Sequence, residues 1–147
     1  MVGDGGVAQM LKHVDPAHAD SVRAFMQAFQ AFRDETAHAG EAQRECTRVH
    51  KLYEQRAAQE RAGRRRVFSL HEQQQLADQL MDAERKHEHH HRSAHTHAQA
   101  AIRVYPDAVA AFNPDASSRV FRNLLVEHAR EITTRFPGVR YPTTVPT

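Results

Sequence analysis

Apolar residues in this chain recur every three or four positions and nowhere alternate. Val22, Phe25, Met26, Phe29 and Phe32 are spaced this way, and so are Leu76, Ala77 and Leu80, with Leu70 two steps earlier through Gln73, and Val120, Phe121, Leu124 and Leu125. That spacing gathers side chains on one face of a helix, whereas a strand needs a period of two. No repeat of 20–50 residues is visible either. The pattern predicts an all-α fold of three to four long amphipathic helices. Leu, Ile, Val and Phe supply only 28 of 147 residues. The stripes are therefore narrow, which predicts an elongated or open helical arrangement that needs partner surfaces to cover it.

The punctuation residues divide the chain as one helical domain with five segments. Val7, Met10, Leu11 and Val14 mark a short amphipathic turn-pair after a Gly-rich start. Asp15-Pro16 reads as an N-cap followed by proline at the first helical position, opening a helix over 16–39. Gly40 is placed as a C′ residue. A second helix, 41–62, carries the thinner stripe Ala42, Cys46, Val49, Leu52, Tyr53 and Ala57, and Gly63 follows. Ser69-Leu70-His71-Glu72 is a capping-box pattern that opens the longest helix, 70–104, which Pro106 stops. A short helical piece spans 107–112. Asn113-Pro114 then reads as the next N-cap, for a helix over 114–135. The tail, 137–147, holds Tyr141, Pro142 and Pro146 and is expected to be extended.

The net charge of +2 argues against a dedicated nucleic-acid binder. Charge is unevenly spread: residues 41–68 hold eight Lys/Arg against four Asp/Glu. Arg61, Arg64, Arg65 and Arg66 form a basic patch suited to the negative end of the preceding helix or to an acidic partner. Cys46 is alone, so neither an intrachain disulfide nor a Cys-based metal site is expected. No run of 18 apolar residues marks a membrane span, and no signal-peptide h-region is seen. Membrane association is expected only peripherally, through partners.

Six of the twelve histidines fall between Lys86 and His97, inside the longest helical segment. Imidazole ordinarily titrates near physiological pH and is a common metal ligand. His87, His91 and His95 follow i, i+4, i+8 spacing and are the candidate zinc ligands. A single straight helix cannot close a tetrahedral site, so a second element would have to contribute, with His128 and His50 as candidates. His87-Glu88-x-x-His91 satisfies a zincin spacing, and His97 stands where metzincins place a third ligand. Ala94, however, occupies the position of that family's glycine, and no upstream sheet is expected. The same histidines replace leucine in the seam, where protonation would set like charges against a packed helix.

The window from Arg56 to Ala101 has an Arg-rich entry, Phe68, Gln73-Gln74-Gln75-Leu76-Ala77 and a His-rich charged helix. It resembles the mitochondrial ATP synthase inhibitor family. That resemblance implies a long helix whose pH-sensitive histidines govern blocking of a catalytic subcomplex. Gly63-Arg64-Arg65-Arg66 stands where the family has an acidic pair.

No Ser/His/Asp arrangement or phosphate-cradling glycine loop is present, so the chain is not expected to be an enzyme. The expected role is a non-catalytic accessory subunit of a large multiprotein assembly, with other protein subunits as partners. The expected host is a mitochondrial energy-transducing complex, with cytoplasmic or ciliary assemblies as alternatives. The expected interaction faces are Phe25, Phe29 and Phe32, and Val120, Phe121, Leu124 and Leu125. The competing expectation is a metal-binding or pH-sensing regulatory helix.

Overall fold

The computed structural model describes residues 4–63 and 68–141. Its four α-helices are α1 (Asp4–Leu11), α2 (Ala19–Arg61), α3 (Leu70–Ala110) and α4 (Ala116–Arg135), with a 3₁₀ turn at Pro16–His18 before α2. The fold is all-α. None of the described helices is long and apolar enough to cross a membrane.

Two expected breaks are absent. α2 runs without interruption through Gly40, so the helices expected over 16–39 and 41–62 are one. A glycine inside a helix costs only about 1 kcal/mol relative to alanine. Ala39 and Ala42 on either side are buried, and their packing outweighs that cost. The positive φ that ends a helix occurs instead at Gly63, where φ is 72°. Likewise α3 continues past Pro106 to Ala110 and absorbs the short piece expected over 107–112. Proline there removes one hydrogen bond. Burial of Ala101, Ile102, Ala108 and Ala111 along the same helix end offsets the loss.

The caps follow short-range chemistry. Ser69 Oγ accepts from Glu72 N at 3.1 Å, half of a capping box. The Glu72 carboxylate pairs with Arg56 instead, at 3.2 Å. α4 starts later than expected. Its N-cap is Asp115, which accepts from Ser118 N at 2.7 Å. Asn113 is used elsewhere, its N–H donating to the His13 carbonyl at 3.1 Å.

The chain forms two compact units. Unit 1 comprises residues 1–34 and 93–147, and unit 2 comprises 35–92. The core of unit 1 is broad, drawing on α1, the first part of α2, the last part of α3, α4 and the segment after it. Phe25, Phe29 and Phe32 stand in a row, with successive ring centroids 6.3 and 6.0 Å apart. Tyr105 packs on Phe25, and Phe136 packs edge-on against Phe32. Each fully buried ring contributes about 2–3 kcal/mol of apolar transfer. The loop ends are also tied. Asp15 N donates to the Ala111 carbonyl, and Val14 pairs with Phe112 as an isolated antiparallel bridge.

Unit 2 is the pairing of the rest of α2 with the first part of α3. Its large buried side chains are Val49, Phe68 and Leu76, with Leu52, Ala57 and Leu80 beside them. Tyr53 packs edge-on against Phe68 at 5.0 Å. Further along the seam only alanines are buried: Ala39 and Ala42 on α2, and Ala83 on α3.

Candidate functional site

The alanine stretch of unit 2 is where titratable groups converge. Ala42 and Ala83 fill little space, so a cleft of about 330 Å³ opens between the helices and long polar side chains ring it. From α2 come His38, Glu41 and Glu45, and from α3 come Asp82, Lys86 and His90. Glu35, one turn before His38, reaches across the seam. His90 Nδ1 lies 2.5 Å from Glu35 Oε2, and both side chains are largely shielded from water. An ionised carboxylate can only accept, so Nδ1 carries the proton in this contact. The His38 and His90 rings are 5.0 Å apart. His38 Nδ1 lies 3.9 Å from Glu41 Oε2. Around them Lys86 pairs with Asp82 at 3.1 Å, and Arg48 with Glu45. The Arg48 hydrogen bonds hold the Glu45 carboxyl below its ordinary value. Nearby Cys46 has its thiol pushed up by burial, with the Glu84 charge adding to the effect. It is therefore a poor nucleophile.

A second titratable group lies in unit 1. His128 on α4 is buried and stacks on Phe29 with centroids 3.9 Å apart. Burial pushes it down to about 4, and the Arg33 charge acts in the same direction. Arg33 forms a two-pronged pair with Glu131, Nε to Oε2 and Nη2 to Oε1, each 3.0 Å. Its guanidinium sits 4.7 Å from the centre of the Phe29 ring. The hydrogen bonds from Arg33 lower the Glu131 carboxyl.

The residues singled out in the sequence are distributed as follows. His87 and His91 stack at 5.8 Å on the same helix. His95 belongs to unit 1, where its ring packs edge-on against Phe136 at 5.1 Å. Among the described residues, no three or more His, Cys, Asp or Glu side chains are gathered so that they could hold a metal ion. The expected trio is therefore not assembled, and His50 is exposed on α2 rather than completing it. Glu88, the base position of the zincin spacing, is paired with Arg92 one turn on. The seam of α3 runs through Ala83, His87 and His90 to Ala94, so His91 is exposed rather than in the seam.

Phe25, Phe29 and Phe32 are 0, 2 and 2% exposed, spent on the chain's own core rather than offered to a partner. Leu125 is fully buried as well, and Phe121 and Leu124 are half-buried against the same core. Val120 alone of that face is open, at 70%. The aromatic row touches three other segments of unit 1, through Tyr105 on α3, His128 on α4 and Phe136 after it. Arg61 is exposed in the last turn of α2, while Arg64, Arg65 and Arg66 lie outside the described residues, as does the tail beyond Tyr141.

Glu35, His38 and His90 were not singled out by sequence reasoning. Alanines one turn away on both helices marked the seam. The register that sets Glu35 opposite His90, 55 positions on, is a tertiary fact.

No protein-family model matches the chain, and comparisons with curated proteins and with solved structures find no match.

Proposed function

We propose that this chain is a non-catalytic accessory subunit that works through helix–helix contacts made by unit 2. One observation carries the reading: α3 has apolar residues on two faces. Leu76 and Ala83 are buried against α2. Leu70 and Met81 are 81% and 59% exposed. With exposed Ala77 between them, they share a face about a third of a turn away from the buried one. A two-helix unit with so small a core gains stability when a further helix covers that second stripe. The host we propose, from the Arg- and His-rich helical composition, is an energy-transducing complex of mitochondria. Fractionation of cells carrying the tagged chain tests that part.

The surface is tested by the double substitution Leu70→Glu with Met81→Glu. Both positions face water in the isolated chain, so helicity and melting temperature should stay within a few degrees of the parent. Co-purification in a defined stoichiometric complex should be lost. A variant that enters the same complex at the same stoichiometry contradicts the proposal. So does a parent chain that runs as a monomer and joins no complex.

A further inference from the structure

We propose that unit 2 carries a proton-operated clamp, in which protonation of His90 on α3 draws that helix onto Glu35 of α2. The proposal concerns the isolated chain and does not depend on the partner surface.

The charges facing His90 and the neighbouring His38 are these. α2 presents Glu35, Glu41 and Glu45, with Arg48 on Glu45; α3 presents Asp82 and Lys86. With both histidines neutral, four carboxylates face two cations and the seam carries excess negative charge. Two imidazolium charges bring it to balance. Across the seam His90 meets Glu35 at 2.5 Å and the His38 ring at 5.0 Å, and Glu41 on His38's own helix, 3.9 Å from it, offsets the His38 charge. Coulomb energy falls with distance, so attraction wins. Charging His90 also turns its hydrogen bond to the ionised Glu35 into one with opposite charges on donor and acceptor. His89, with its ring 5.0 Å from that of His90, adds a like charge when protonated. It is exposed, so solvent and salt screen its effect. The sign is opposite to that expected of a histidine seam. The sequence places histidines where leucine would pack and predicts that acid separates the helices. In the structure His90 has a carboxylate of α2 nearer to it than the His38 ring, so acid closes the helices.

Amide hydrogen exchange of the full chain at pH 5.5 and 7.5, corrected for intrinsic exchange, tests the clamp. These values bracket the ordinary imidazole range. Protection over 35–45 and 82–90 should rise about fivefold on acidification, the upper end for a partly exposed ion pair. Glu35→Gln should remove most of that rise, and so should His90→Gln, with circular dichroism confirming that each variant is helical. The double variant His87→Gln with His91→Gln should retain it. Protection that stays level or falls in acid overturns the clamp, as does a rise that survives Glu35→Gln.

Discussion

Units 1 and 2 draw on the same two long helices, and they are held in opposite ways. Unit 1 spends its aromatic residues on a multi-helix core and buries a histidine in it as a neutral ring against Phe29. Among its described residues unit 2 has three large buried side chains, then a polar cleft in which histidine meets carboxylate. The same residue type is an apolar filler in one unit and an ion-pair donor in the other. What decides is the neighbourhood: burial against Phe29 and the Arg33 charge disfavour an added proton on His128, while His90 has a Glu35 carboxylate oxygen 2.5 Å from its Nδ1. Cluster counts along a sequence do not separate these cases.

The contrast should be largest in the cores. Phe29→Ala removes a ring that touches Phe25, Phe32, Arg33 and His128. It should cost about 3–5 kcal/mol in denaturant unfolding. Leu76→Ala in the narrower seam, which collapses more readily, should cost about 2 kcal/mol, the low end for such changes. Equal costs would erase the distinction.

Acid gives the next largest effect. The folded His128 titrates at about 4 against an ordinary 6.5. Below pH 6.5 the unfolded chain takes up a proton that the folded chain refuses until about 4. Stability is therefore full above 6.5 and is lost between 6.5 and 4, by at most about 3 kcal/mol from this group. His128→Phe should flatten the loss, read as melting temperature against pH. An unchanged slope would remove His128 as its source.

The smallest effect sharpens the reading of α2. Gly40 is helical, and an added Cβ would meet only Arg44 Nη1, at 3.6 Å, an ordinary contact. Gly40→Ala should therefore stabilise the chain by roughly 0.5–1 kcal/mol. Gly63→Ala should destabilise it by a similar amount, because φ there is 72°. The reverse pattern, read from melting curves, would restore the break at Gly40.

The all-α fold was legible because the three- and four-residue spacing of Val22, Phe25, Phe29 and Phe32 is a local signal. The cap at Ser69 was legible for the same reason. Gly40 and Pro106 misled, since each weakens a helix locally while tertiary burial of the alanines around it decides the outcome. Of the candidate site, sequence spacing showed that histidine lay near the seam of α3. It missed that His90 rather than His91 faces inward, and that Glu35 and His38 on α2 meet it. It also assigned the phenylalanine row to a partner, because stripe width says nothing about how many segments of the same chain will cover it.

Native-state hydrogen exchange of the isolated chain, followed through increasing denaturant at neutral pH, tests the central contrast most directly. Residues 45–61 and 70–80 should exchange through a partial opening well below the global unfolding free energy. Residues 22–33, 98–109 and 125–132 should exchange only through global unfolding. Merging of both sets into one isotherm at every denaturant concentration would contradict it, because unit 2 would then be as well supported as unit 1 and would need no partner to cover it.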